Sequence, residues 1–533
     1  MDNKAKTFLK QLNENSDYYE FWQDFHRYCQ EFEIPNKEYF VESLPILFEK
    51  IKNDGASYSI YEALRKFASE KPKEAIEVLE LIKKEGTFKT LNFTDSILGG
   101  LSQSDTNYPY KDEIFSLIKS SNENEINIGV KAAYQVIIKD KQEELKFLNQ
   151  VSNNLIKVIK KESFKNLGAI TRLYNKHLNS ISEAKEIIVE LLQKKNTEVQ
   201  SEVARSLNEE IKFEADPEYF QKCLNLLTYT EYKYKGIYNT IEFRLKDTIA
   251  KNPEIIIEFI NKWVLNNKGK IKEISVLKRI IAELYSTHPK RIEILFLDWL
   301  NSDNQLYKNA LHFVINNFDD NINPIGLPKE LLKNLNEEDS LYIVFMIVGN
   351  ILDQKYASEM LYNILEVNYK NERIRNHIAS LFVKYLIINY YSVTDILKTK
   401  RKNANKIITS IIDQIIEASE NYYKQVSELE IINEFEPSDK RMNYYLKQHN
   451  VQMQKLMDES ESKNNSFLNM FTNINIKAGK SFFSKHRGEY SQEAEMQNFK
   501  SSFEMPRIQS IDEIGQEKIR LMWQNMKRNE LPN

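Results

Sequence analysis

Residues 217–299 read PEYFQKCLNLLTYTEYKYKGIYNTIEFRLKDTIAKNPEIIIEFINKWVLNNKGKIKEISVLKRIIAELYSTHPKRIEILFLDW, and Pro217, Pro253 and Pro289 stand in this stretch at intervals of 36 residues. Proline has a preset φ and no N–H, so it fits the first turn of a helix, where that N–H has no intrahelical partner. Each of the three therefore marks a helix start. At six, seven and ten residues past each proline the chain is apolar: Cys223, Leu224 and Leu227; Phe259, Ile260 and Trp263; Leu295, Phe296 and Trp299. Intervals of one, three and four place these side chains on one helical face.

The grid extends outward. Pro35, Pro72 and Pro109 lie 37 residues apart, and the steps between Pro109 and Pro217 land near Leu145 and Ser182, which open comparable amphipathic segments without proline. Val78, Leu79 and Ile82 repeat the apolar triplet, as do Ile188, Val189 and Leu192, whereas Phe115 and Ile118 only approximate it. A second helix begins 17 residues after a start, visible as Ile126 and Val130, as Val199, Val203 and Leu207, and as Leu306, Ala310 and Val314. The segments NENE and KKNTE before these helices supply caps and oppose the helix dipole. Two helices of about 13–16 residues thus fill a unit of about 36, and about nine units follow one another, the signature of a repeat architecture. Neither helix of a unit can bury its stripe alone, so neighbours must stack.

This pattern resembles the HEAT and armadillo class of helical repeats over roughly residues 35–330. The resemblance implies an all-α chain, a right-handed superhelical α-solenoid of antiparallel helix pairs used as a docking surface. Glu125, Glu198 and Gln305 stand where that family places Asp and Arg. The tetratricopeptide class is a weaker match: Asp216-Pro217 and Asn252-Pro253 resemble its unit boundaries, but its Trp, Leu-Gly and Tyr positions and its 34-residue period are missing.

Around the 35–330 array, residues 1–34 are expected to form N-terminal capping helices and 331–436 to continue the helices. Residues 437–462 carry a heptad-like seam, Met442, Leu446, His449, Met453 and Leu456, two heptads that suit a capping helix better than a coiled coil. Residues 463–533 make a linker and tail: polar, aperiodic sequence over 459–510, then a C-terminal amphipathic helix. Ser510 and Glu513 form a capping-box pattern there, and Ile519, Met522, Trp523 and Met526 line one face. That face must dock, either on the chain's own helices or in a partner's groove.

Composition bounds the class of protein. A chain of 533 residues exceeds what one core supports, and 41% hydrophobic with 28% charged residues suits packed helices without a membrane span. Only 13 glycines and 12 prolines leave little material for β-turns. The N-terminal MDNKAKTFLKQLNEN is charged where a signal peptide places its apolar segment, so a cytoplasmic protein is expected. Cys29 and Cys223 lack metal or redox spacing and are expected as reduced core residues. The abundance of Lys, Asn, Ile and Tyr suits an AT-rich bacterial genome.

No motif carries familiar chemistry. Gly479-Lys480-Ser481 resembles the end of a phosphate-binding loop, but Ile474 stands where the earlier glycine belongs. The seven histidines show no metal-binding spacing, and no hydrolase elbow, kinase or dinucleotide signature occurs, so no cofactor or metal is expected. Arg172 and His177 match the Arg-x4-His spacing of the HEPN ribonucleases, a resemblance two residues long that implies a toxin-like ribonuclease as the weakest alternative. Two basic stretches, Lys233 and Lys235 among Tyr232, Tyr234 and Tyr238, and Lys398, Lys400, Arg401 and Lys402, offer nucleic-acid contacts. Against them stands a chain charge of −3. The leading expectation is a non-enzymatic scaffold for a protein partner, with nucleic-acid binding as the alternative. By class analogy alone, it belongs with accessory components of bacterial multi-protein systems, including phage defence.

Overall fold

The computed structural model describes residues 4–12, 18–52, 54–104, 107–160, 164–315, 325–428 and 512–532. It also describes residues 440, 443, 444, 447 and 451 and the pairs 481–482, 485–486, 489–490 and 494–495. The seam residues Met442, Leu446, His449, Met453 and Leu456, together with Gly479-Lys480 and Ser510, lie outside the described residues. The described chain is all-α apart from two short antiparallel pairings, Ser481↔Glu495 with Phe482↔Ala494 and Lys485↔Tyr490 with His486↔Glu489, and the bridge Leu207↔Ile211. No described helix is long and apolar enough to cross a membrane.

The chain divides into two compact units, Met1–His288 and Pro289–Asn533. In the first, the helices are α1 (Lys4–Gln11), α2 (Tyr18–Gln30), α3 (Lys37–Ile51), α4 (Tyr58–Glu70), α5 (Pro72–Glu85), α6 (Phe88–Leu91), α7 (Thr94–Leu101), α8 (Tyr110–Lys119) and α9 (Glu123–Gln135). They continue with α10 (Lys141–Ile159), α11 (Leu167–Lys176), α12 (Ala184–Gln193), α13 (Thr197–Ser206), α14 (Pro217–Leu227), α15 (Lys235–Lys251), α16 (Pro253–Asn266) and α17 (Lys278–Thr287). The second unit holds α18 (Pro289–Asn301), α19 (Gln305–Ile315), α20 (Lys329–Leu332), α21 (Glu337–Asn350), α22 (Gln354–Asn368), α23 (Glu372–Leu381), α24 (Val393–Arg401), α25 (Lys406–Glu428) and α26 (Glu513–Gln524).

Pro72, Pro217, Pro253 and Pro289 are first helical residues, while Pro109 stands one position before α8 and Pro35 two before α3, where Asn36 caps instead. The grid point at Leu145 falls inside α10, because the Asp140 side chain accepts from Glu143 N–H and starts that helix at Lys141. Every residue of the five apolar triplets is buried. Each fully buried large apolar side chain among them contributes about 1.5–3 kcal/mol relative to an exposed one. Asn122 and Asn196 cap α9 and α13 through side-chain bonds to backbone N–H groups.

In the first unit α4, α7, α9, α11, α13, α15 and α17 form a row in which each touches the next. Behind it α3 packs on α5, α8 on α10, and α14 between α12 and α16. The rows meet through pairs adjacent in sequence, such as α8 with α9 and α15 with α16. Between them Trp263 Nε1 donates to Tyr238 Oη at 2.9 Å, and that hydroxyl donates to the Thr230 carbonyl at 2.6 Å, so both large side chains are buried with their polar atoms paired. Helix α7 lies very close to α4: a Cβ built on Gly100 would stand 2.2 Å from the Arg65 carbonyl oxygen.

In the second unit every residue of α21 after its first turn, from Ser340 to Asn350, is buried. Its sequence SLYIVFMIVGN is apolar all round, and such a helix needs cover on every side. The cover comes from α18, α19, α22, α23 and the C-terminal α26.

Candidate functional site

The exposed side of the first row forms an open cleft of about 1170 Å³. Four helices contribute residues spaced three or four apart: Tyr58, Tyr61 and Arg65 from α4, Asn127, Lys131 and Tyr134 from α9, Gly168 and Arg172 from α11, and Glu198, Ser201 and Arg205 from α13. Small-molecule pockets are mostly apolar; this one is lined by charges, amides, hydroxyls and four tyrosines, Tyr58, Tyr61, Tyr134 and Tyr234. Its cations, Arg65, Lys131, Arg172 and Arg205, are matched by four carboxylates, Glu62, Asp95, Glu198 and Glu202.

Much of this lining is held by bonds along the row. Arg172 makes a two-pronged pair with Glu202, at 3.0 and 2.6 Å, and Arg205 reaches the same carboxylate at 3.1 Å. Glu198 accepts from the Gly168 N–H at 3.3 Å, and a Cβ at Gly168 would stand 2.9 Å from Glu198 Cβ. Asp95 lies at the cleft floor with 5% exposure, accepting from Ser96 N–H at 2.7 Å and from Gln135 Nε2 at 3.2 Å. Burial pushes its carboxyl up to about 6, against the pull of the Lys131 cation.

Arg172 lines the cleft and His177 does not. His177 sits at the C-cap of α11 with 8% exposure, its Nε2 meeting no hydrogen-bond partner among the described residues. Burial, with the adjacent Lys176 cation, depresses its imidazole to about 4. The ring is therefore neutral at pH 7 and withdrawn from the surface where Arg172 stands.

The basic stretches are largely engaged with carboxylates. Lys233 pairs with Glu231 at 2.9 Å, Lys398 with Glu420 at 3.8 Å, Lys400 with Glu359 at 2.6 Å and Arg401 with Asp413 at 2.5 Å, while Lys235 and Lys402 are exposed. Lys398, Lys400 and Arg401 occupy the last turn of α24, where cations complement the helix dipole. Tyr238 is a core residue rather than a stacking platform. Cys223 is buried and Cys29 half-buried, and burial pushes both thiols up to about 12. Among the described residues no group of three or more His, Cys, Asp or Glu is placed to hold a metal ion.

The C-terminal helix α26 docks within its own unit. Asp512 caps it, accepting from Gly515 N–H at 2.9 Å. Trp523 is the one buried residue of this helix, edge-on to Tyr385 at 4.7 Å and 6.4 Å from Phe345. Of the expected apolar face, Met526 is half-buried, while Ile519 and Met522 remain exposed at 37% and 57%. Around Trp523, Arg520 donates to the Gly349 carbonyl at 3.1 Å and Gln524 to Asn350 Oδ1 at 3.1 Å. Beyond the helix, Arg528 pairs with Asp339, donates to the Asn301 carbonyl at 2.6 Å, and lies 4.3 Å over the Tyr342 ring.

Compared with protein-family models and with curated proteins, the chain matches none.

Proposed function

We propose that this protein is a binding scaffold, a right-handed solenoid of antiparallel helix pairs whose first-unit cleft holds an extended segment of a partner protein. The observation that carries this reading is the cleft's composition. Four cations against four carboxylates give it no net attraction for a polyanion, whereas nucleic-acid surfaces are strongly basic. Asn127, Gln135 and Asn166 offer both donors and acceptors, as a peptide backbone requires. The tyrosines add amphipathic contact area at low entropic cost. A nucleic-acid-binding role through Lys233, Lys235, Lys398, Lys400, Arg401 and Lys402 is the second reading, weakened by the carboxylates that already engage four of those cations.

The test is capture with full-length protein from nuclease-treated lysate, beside an Arg65→Glu/Arg205→Glu variant. Both arginines are about half exposed, at 39% and 55%, so their reversal should leave the fold intact. The proposal expects a discrete protein retained by the wild type and lost from the variant. Recovery of nucleic acid alone, or equal retention by both, contradicts it.

A further inference from the structure

The contact of α26 with its unit has the anatomy of an interface. Helices of comparable length in this chain bury more side chains, as α5 does with Ala75, Val78, Leu79 and Ile82. Helix α26 buries one, Trp523, and leaves Ile514, Leu521 and Met522 exposed. Around that anchor lies a rim of hydrogen bonds, with Arg520 on Gly349, Gln524 on Asn350, Arg528 on Asn301 and Asp339, and Arg373 donating to the Pro532 carbonyl at 2.6 Å. One desolvated aromatic anchor inside a polar rim is how recognition surfaces are built.

The receiving surface is also shaped for a helix backbone. A Cβ on Gly349 would stand 2.7 Å from Gln524 N and 3.1 Å from the Trp523 carbonyl carbon, so glycine is what admits the close approach. Tyr385, the wall against which Trp523 packs, belongs to the π-helical segment Phe382–Ile387. Such local widenings are rare and recur at functional sites.

We infer that this surface is a recognition site for an amphipathic helix with arginine three residues before a buried tryptophan and a second arginine just past the helix end, five residues after it, and that residues 512–532 occupy it in cis. The site's external ligand is a partner helix of that pattern, admitted when the tail leaves. Arg528 supplies the specificity: its guanidinium meets a carboxylate, a backbone carbonyl and an aromatic face together, a combination lysine does not reproduce.

The experiment is an anisotropy titration of a labelled synthetic peptide of residues 512–532 against full-length protein. Wild type is compared with a Trp523→Ala/Arg528→Glu variant whose own tail no longer competes. The tethered tail acts at an effective concentration on the order of a millimolar or below. The variant should therefore bind the peptide saturably at one site, at least tenfold more tightly than wild type, and adding Gly349→Leu should abolish that binding. Absence of binding to a variant that keeps wild-type helix content by circular dichroism, or binding indifferent to Gly349→Leu, overturns the inference. A wild-type dimer lost with Arg528→Glu also overturns it, because the occupant would then be a second copy. In unaltered protein, α26 amides should exchange with deuterium at least tenfold faster than those of Leu341–Val348. Equal rates would make α26 an integral part of the core and sink the idea.

Discussion

Replacing Gly100 by alanine perturbs the cleft from behind. The added Cβ would lie 2.2 Å from the Arg65 carbonyl oxygen and 2.6 Å from Ala68 Cβ, both on α4. An ordinary contact there needs more than a further ångström, and the carbonyl is backbone, so α4 and α7 must separate. Overpacking of this kind costs about 1–3 kcal/mol, and so tight a contact belongs at the upper end. Alanine returns about 1 kcal/mol of helix propensity. The net expectation is a loss of about 2 kcal/mol, or about 30-fold faster exchange for amides protected by that packing. Because α4 also carries Tyr58, Tyr61 and Arg65, its displacement should weaken partner binding as well. For the exchange readout, Gly236, where an added Cβ meets nothing within 4 Å, is the control. Deuterium exchange read by mass spectrometry on peptides covering 58–70 and 94–101 gives the answer locally, without treating a two-unit chain as a single transition. Exchange in Gly100→Ala that is unchanged there, or that matches Gly236→Ala, refutes the packing argument.

Two further predictions concern the same unit. Asp95 is held at about 6 in the folded chain, above the value near ~3.9 of an unfolded aspartate. Between those values the native state holds more protons than the unfolded one, so the fold loses stability as pH rises from about 4 to about 6 and does not regain it above. Asp95→Asn should flatten that fall and raise local stability at neutral pH by on the order of 2 kcal/mol; an unaltered pH profile of amide protection over 94–101, corrected for intrinsic exchange, contradicts this. Asn196 accepts from Glu198 N–H at 2.9 Å and Val199 N–H at 3.3 Å, so Asn196→Ala should cost about 1 kcal/mol, seen as about fivefold faster exchange confined to α13.

The helical framework was legible because its signals are local. Proline at a helix start and apolar residues six, seven and ten positions later describe one helix face without reference to the rest of the chain. The grid failed at Leu145, where Asp140 supplied an earlier cap, a choice between two polar residues that apolar periodicity does not register. The Gly99-Gly100 pair in α7 carries no local signal either: Gly100 meets Arg65 and Ala68 of α4 and Gly99 meets Gln135 of α9, neighbours more than thirty residues away. The cleft was hidden for a different reason. Tyr61, Asp95, Lys131, Arg172 and Glu202 come from separate helices and belong to residue types that also make ordinary solvated surface. Their spacing of three to four along each helix of one row was the available signal, and it needs the row to be known first. Arg172 was singled out for its distance from His177, yet its structural partner is Glu202 on the next helix of the row. The tail's Trp523 is legible from the apolar face of its helix, while Arg528, which makes the richest set of contacts there, lies past the helix end where apolar periodicity says nothing.

The measurement that bears most directly on the scaffold reading is photocrosslinking in cells with a photoreactive amino acid at Ser201, inside the cleft, and at Lys84, exposed on α5. The account predicts a discrete protein adduct from position 201, absent from position 84 and abolished by Arg65→Glu/Arg205→Glu. Adducts of the same protein from both positions, or nucleic acid as the only species captured at 201, would contradict it.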